Sequence, residues 1–292
     1  MSYTPSLGLQ VAESAQYVEE ASYGIFPNSP TLKWVGADMQ YSDNADMGSI
    51  KKRNLGSEDL KYVLTGAQNY DLTLDYAIQN SAFLKYLVNS QGGGAGSIDE
   101  SLSILIAPKI NGTTEYLQAL GCRPDSGSIK WALGKETRAN VKLFAQTIQP
   151  YTSTNPVGSG SWATDPGTNP WIFTDPGASG ITIGGVALDV NDLSVSFNRN
   201  LIRQRTIGQA TAKYIVPSVR DITGDVTVLL ESTANYSALL NGTSQTIVAP
   251  LKSSTSVLTL SNSYFTKQGK SIQCKDILLE KFNFVCESAV LT

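Results

Sequence analysis

Histidine is absent from this chain, so the commonest general base and the commonest zinc ligand are both missing. A Ser-His-Asp or Cys-His arrangement cannot form. Carboxylates, cysteines and glycine runs remain, and each fits a structural role better than a chemical one. Glu58-Asp59 falls at an expected helix start, and Glu13, Glu19 and Glu20 lie in the N-terminal segment, where solvated charge is the default; a glycosidase-like pair depends on a separation that sequence does not set. Asp43-Asn44-Ala45-Asp46-Met47-Gly48 lacks the alternating oxygens and later Glu of a calcium loop and reads as a turn. Gln91-Gly92-Gly93-Gly94-Ala95-Gly96 lacks the Lys-Ser/Thr pair that closes a phosphate loop. Three glycosylation triplets begin at Asn111, Asn235 and Asn241, and the first and last read better as Asn-Gly turns. Cys122, Cys274 and Cys286 are odd in number and lack metal-ligand spacing, so they read as reduced, packed residues. No catalytic, cofactor-binding or metal residue is expected, no cofactor is implied, and the protein is expected not to be an enzyme.

The 292 residues can bury a substantial core in one large or two ordinary units. Charged residues make up only 16% of the chain, and the net charge is −3, which gives no bulk attraction for nucleic acid. No run of 18 apolar residues and no secretory signal is visible, so no membrane insertion is expected and synthesis and folding in a cytoplasm are.

The elements are mostly alternating strands. Asp38-Met39-Gln40-Tyr41-Ser42 and Asp71-Leu72-Thr73-Leu74 each have an echo, Asp192-Leu193-Ser194-Val195-Ser196 and Asp225-Val226-Thr227-Val228. The step is 154 residues in both cases, and a short amphipathic helix follows each second strand, which argues for internal duplication. On this spacing Cys122 and Cys274 also fall at nearly equivalent strand positions. A short helix is expected from Ser57 to Leu64, and Asn80 is expected to cap another that carries Phe83, Leu84 and Leu87 on one face. Further strands are expected at Leu102–Ala107, Thr114–Cys122, Ser128–Leu133 and Arg138–Ile148, then at Val186–Asn198, Asp221–Glu231, Ser256–Leu260, Tyr264–Cys274 and Ile277–Cys286. The fold class is mainly β with an α+β character: two tandem β-sandwich or barrel-like units, each flanked by a short helix. The expected organisation is an N-terminal arm at 1–33, a first unit at 34–150, a Pro/Gly-rich linker at 151–180 that Trp162 and Trp171 could anchor, and a second unit at 181–292.

The long strands pair an apolar face with a Ser/Thr/Asn/Gln face, and free edges of such strands recruit another chain. Ser22-Tyr23-Gly24-Ile25-Phe26-Pro27 with Leu32-Lys33-Trp34-Val35-Gly36 resembles the tail tube proteins of tailed phages and related archaeal viruses. So do Leu55-Gly56-Ser57-Glu58-Asp59-Leu60, Leu120-Gly121-Cys122-Arg123-Pro124-Asp125 and Val219-Arg220-Asp221-Ile222-Thr223-Gly224-Asp225. The resemblance implies a structural virion protein whose rings stack into a tube for ejecting viral DNA, and a duplicated subunit would close as a trimer with pseudo-sixfold symmetry. It implies as partners other copies of the chain, the tape measure protein and viral DNA in the lumen, and the tail terminator and baseplate at the ends. By the same implication, Asp38, Gln40, Ser42, Ser194, Ser196 and Asn198 line the lumen, in strands that extend to Ile50–Leu55 and Ile202–Ile207, while loop 43–60 and the arm touch the next ring. A sliding polyanion favours a polar, neutral-to-acidic bore, so the cations Lys51, Lys52, Arg53, Arg199, Arg203 and Arg205 are assigned, with Glu58 and Asp59, to ring interfaces. Alternative readings are a tail terminator, the inner tube of a contractile injection device, or an extracellular two-domain β-sandwich binding module.

Overall fold

Alternation of apolar and polar residues builds this molecule. In Arg138–Ala145, for example, Ala139, Val141, Leu143 and Ala145 are buried and the residues between them are half-exposed. The computed structural model describes residues 12–53, 60–89, 101–110, 112–172, 180–229, 234–251, 256–271 and 279–292. The chain is mainly β. The first half contains β1 (Ala12–Glu19), β2 (Lys33–Trp34), β3 (Ala37–Asp46), β4 (Ile50–Arg53), β5 (Leu60–Leu64) and β6 (Asn69–Ala77). After α1 (Lys85–Val88) come β7 (Leu102–Ile110), β8 (Thr113–Thr114), β9 (Leu117–Ala132), β10 (Arg138–Ala145) and β11 (Thr147–Ile148). The second half contains β12 (Thr182–Ile183), β13 (Val186–Ala187), β14 (Val190–Asn198), β15 (Ile202–Gln204), β16 (Tyr214–Val216) and β17 (Asp221–Leu229). It ends with α2 (Ala234–Asn241), β18 (Gln245–Pro250), β19 (Val257–Ser271) and β20 (Leu279–Leu291).

Hydrogen bonding orders the first half β2-β1-β7-β9-β10-β6-β3 and the second half β13-β12-β18-β19-β20-β17-β14. Strand for strand, these are the same order. The registers agree as well. Gln40 faces Asp75 as Asp192 faces Thr227, and Ile50 faces Leu64 as Ile202 faces Val216. Each pairing places the halves 152 residues apart rather than the 154 of the sequence match. Gly48 (φ 52) and Asn200 (φ 49), 152 apart, both turn through the left-handed region. A two-residue slide leaves every side chain on its own face of a strand, so the sequence pattern alone could not tell the two steps apart. Because Leu102 faces Cys122 as Gln245 faces Ser263, Ser263 and not Cys274 is the counterpart of Cys122; Cys274 lies outside the described residues.

The halves are continuous. β14 pairs antiparallel with β9 from Asp192↔Ala132 to Asn198↔Ser126, which joins them into one sheet. The inner face of that sheet packs on the β1/β7 layer and α1 in the first half. Leu72, Leu74, Tyr76, Ile129, Val141, Val195, Val226 and Phe282 are all essentially inaccessible in one core cluster.

Other expectations need correction. Leu60–Leu64 is a strand paired with β4 and not the end of a helix; the cap proposed at Ser57, Glu58 and Asp59 lies outside the described residues. Thr114–Cys122 and Ser128–Leu133 belong largely to one 16-residue strand, β9, because a bulge at Asp125 and the positive φ of Gly121 absorb the Gly and Pro that looked like breaks. Ser256–Leu260 and Tyr264–Cys274 merge in the same way into β19. From Ala12 on, the N-terminal segment packs on its own chain. Ala15 and Tyr17 of β1 enter the core, and the Glu20 carboxylate accepts from Gly24 N (2.7 Å), Ser101 Oγ (2.6 Å), Ser103 Oγ (2.6 Å) and Gly121 N (2.8 Å). The helix after Asn80 is shorter than expected, although Phe83, Leu84 and Leu87 are buried as the pattern implied. The linker residue Trp171 is buried and bonds through its backbone to Ile78 and Thr137.

Burial makes the phenols hard to ionise: Tyr17 and Tyr76 are raised above the ordinary range and Tyr23 is pushed up to about 12. The unfolded chain releases these protons near pH 10 while the folded chain keeps them, so the stability they contribute is present below pH 10 and lost as pH rises toward the folded values, by up to about 1.4 kcal/mol per unit for each phenol. Tyr151, Cys122 and Cys286 are raised in the same sense, while Arg199, whose pKa burial lowers to about 9, and Arg220, also lowered by burial, act in the opposite sense. Urea midpoints should therefore fall between pH 8 and pH 11. The Tyr76 hydroxyl is buried with no hydrogen-bond partner, so Tyr76→Phe should change stability at pH 8 by less than about 0.5 kcal/mol and shrink the alkaline loss.

Candidate functional site

The outer face of the joined sheet is polar across the six strands from β3 to β17, and beyond them the exposed Val285 and Tyr264 pair on β20 and β19. Ser42, Thr73, Lys142, Ser126, Asn198 and Asp221 stand in one row across six strands, as successive pairings show. Gln40, Asp75, Asn140, Ser128, Ser196 and Thr223 form the next row. Ser194 lies between Lys130 and Asp225 in a third. Around the joint the face hollows into a cavity of ≈ 460 Å³ lined by Ser126, Ser128, Asn140, Ser196, Asn198, Asp221 and Thr223.

Sequence reasoning placed Gln40, Ser42, Ser194, Ser196 and Asn198 on one surface, and the fold brings them there. Asp38 reaches the same surface by another route, with a positive φ of 43° beside the bulge of β3 and its carboxylate 2.6 Å from Arg138 Nη1. The contribution of β9 and β10 was missed. Its signal was present in the alternation Arg138, Asn140, Lys142 against Ala139, Val141, Leu143. Ile50–Arg53 and Ile202–Gln204, expected to extend the same wall, instead form two separate hairpins, β4–β5 and β15–β16.

Three cations on this face are held by carboxylates, whereas Lys130 is exposed beside Ser194 with no carboxylate on it among the described residues. Arg138 bonds Asp38 and Asp75 (2.6 and 2.7 Å), Lys142 lies 3.4 Å from Asp71, and Lys281 lies 3.0 Å from Asp225. These ion pairs are partly exposed and contribute little stability individually. Their effect is to leave a face of mixed, locally neutralised charge.

The basic cluster of the second half separates into distinct roles. Arg199 is fully buried inside the chain, so its assignment to a ring interface conflicts with where it sits. Its Nε donates to Leu87 O and its Nη2 to Asn89 O, both at 2.8 Å, while Arg220 Nη1 donates to Val88 O. Those are carbonyls at the C-terminal end of α1, which no further helical turn could satisfy. Burial, and then the neighbouring Arg220 charge, lower the Arg199 pKa to about 9. Arg203 pairs with Asp71 and stacks on the Phe144 ring at 3.7 Å. Arg205 Nη2 donates to Gln68 O at 3.1 Å and also bonds Asn69. All three therefore tie the second half to the first. Lys51 is exposed on β4, next to Lys52 and Arg53 in sequence; Glu58 and Asp59 lie outside the described residues.

A broad polar sheet face, locally neutralised charge and strand edges open to pairing define a structural β-protein that works through its surfaces. The chain belongs to the phage tail tube protein family, whose model matches residues 13–286. It is thus a structural component of a virion tail and not an enzyme. A chain of the virion of a native gene transfer agent (GTA) particle aligns at 7% identity over 40% of this chain and 85% of that chain, with a TM-score of 0.27. No curated protein sequence matches. No helix among the described residues is long and apolar enough to cross a membrane.

Arg199→Met should cost about 3 kcal/mol, because it strands buried carbonyls at the end of α1. The exposed Arg205→Ala should cost about 0.5 kcal/mol or less. Urea denaturation of the two variants, followed by far-UV circular dichroism, checks the contrast.

Proposed function

We propose that this chain is the subunit of the tail tube itself, built from a duplicated tube unit, with three copies closing a ring of pseudo-sixfold symmetry. The observation that carries the reading is the identical strand order of the two halves at a constant 152-residue step through β3–β6 and β14–β17, together with the way one half is stitched to the other. A unit that joins its own copy through sheet edges can join further copies the same way. Such heterologous contacts form a closed ring when the rotation closes.

In this reading the hollow polar face is the wall of the channel, and Gln40, Ser42, Ser194, Ser196 and Asn198 are among its lining. DNA passes because Arg138, Lys142 and Lys281 are already engaged by Asp38, Asp71, Asp75 and Asp225, leaving few free charges, Lys130 among them, to release phosphate counterions and hold the duplex. Before ejection the tape measure protein occupies the same lumen. Terminator and baseplate proteins cap the two ends. The hairpins favour stacking between rings: Tyr62, Val63 and Leu64 on one and Ile202 and Tyr214 on the other are exposed apolar residues, which suits surfaces covered on assembly.

Negative-stain microscopy of concentrated protein should give tubes of uniform bore whose end-on averages have three chains per ring. A ring of six chains would contradict the duplicated-unit reading. Ser128→Lys with Thr223→Lys should leave tubes intact yet make them retain short duplex DNA at 50 mM salt and release it steeply as salt rises, as a two-phosphate contact would. Fluorescence anisotropy of labelled DNA reads this out.

A further inference from the structure

The joint inside the chain is a template for a contact between chains. Its two strands, β14 and β9, have counterparts in the other half: β3, 152 residues earlier, and β19, 141 residues later. The second step is marked by the backbone, because the bulge at Asp125 recurs at Thr266 and the positive φ of Gly121 (63°) recurs at Asn262 (54°). β3 carries β6 on one edge, and among the described residues no strand pairs its other edge. β19 carries β18 only as far as Ser263, and along 264–271 that edge likewise has no described partner. Six strands stand between β3 and β19 in the sheet, so the two edges belong to opposite flanks of one chain.

We infer that β3 of one chain docks on the 264–271 edge of β19 in a second copy, in the register of the internal joint, and that this seam is keyed by charge. The inference rests on the ring reading above. Carrying the register across turns Ser196↔Ser128 into Asn44↔Gly269 and Asn198↔Ser126 into Asp46↔Lys267. A neutral pair of the joint thus becomes an acid opposite a base, an arrangement that stabilises antiparallel neighbours, whereas like charges there repel. An edge that is acidic on one flank and basic on the other also disfavours β3 pairing with β3. Head-to-tail closure is the arrangement left.

The β3 edge already has the shape the joint uses. Asp46 Oδ1 accepts from Gly48 N at 2.9 Å, as Asn198 Oδ1 accepts from Asn200 N at 3.1 Å. Beyond that turn, Arg203 and Arg205 bond to Asp71 and Asn69 at the start of β6. The same steps bring the equivalent positions Lys51 and Arg53 to Thr223 and Asp221, at the start of β17 in the second copy.

Charge exchange and cross-linking on the full chain test the seam. Asp46→Lys and Lys267→Asp, each at an exposed position, should each cut the mass of tubes formed at matched concentration by about tenfold or more, and the double variant should recover most of it. A double variant no better than the single ones, with circular dichroism spectra matching the wild type, would overturn the seam. Adding a side chain at Gly269 meets no atom within 4 Å, so a 1:1 mixture of Asn44→Cys and Gly269→Cys chains should give a disulfide dimer on a non-reducing gel that neither variant gives alone. Three-chain rings without that dimer would overturn the seam and leave the ring reading standing. Protein that forms no rings, even as wild type, would overturn the ring reading itself.

Discussion

The structure depends on how its strand edges are satisfied. A backbone N–H or C=O removed from water needs a partner, and a strand with an open edge solicits one. In this chain one such edge is closed internally, where β14 lies along the far half of β9 over the run Asp192–Asn198. That pairing makes one continuous sheet of two similarly ordered halves. It also makes the polar face continuous, because Ser126 and Ser128 stand beside Asn198 and Ser196 only in this register.

Charge is handled differently at different depths. On the polar face, cations and carboxylates meet in partly exposed pairs, which settle the local balance more than the stability. Beneath it, Arg199 and Arg220 reach the end of α1 and satisfy its carbonyls. Taking a guanidinium out of water is costly, and the lowered pKa of Arg199 reflects that cost. Hydrogen bonds to Leu87 and Asn89 offset it. Glu20 is the acidic parallel, with two backbone and two hydroxyl donors fixing β1 and the following turn against β7 and β9. Both groups are local in sequence and distant in their partners, so neither can be assigned a role without the fold.

Much of the fold was legible because a half-buried strand writes its two faces into alternate residues. Leu72, Leu74 and Tyr76 alternate with Asp71, Thr73 and Asp75, and Leu193, Val195 and Phe197 with Ser194, Ser196 and Asn198. All six residues read as one polar surface share it, Asp38 by way of its bond to Arg138. β1 was hidden because its two inward residues, Ala15 and Tyr17, sit among glutamates and small side chains. β9 was hidden because Gly121, Pro124 and Gly127 are turn signals anywhere a bulge does not absorb them. Leu60–Leu64 looked helical because the acids before it suggested a cap, while its partner strand, Ile50–Arg53, decided otherwise.

By itself, the sequence determined what chemistry the chain lacks, since without histidine the common nucleophile-activating arrangements cannot be assembled. It also determined the strand-rich class, the echo between halves and the family resemblance, all of which are local patterns of residue type. Tertiary structure alone decided the step of 152 over 154, the merging of β9 and β19 into single strands, the burial of Arg199 and the joining of the halves into one sheet. The reason is physical. Alternation has a period of two, so it is blind to a slide of two residues, and register is set instead by hydrogen bonds and bulges between segments far apart in the chain.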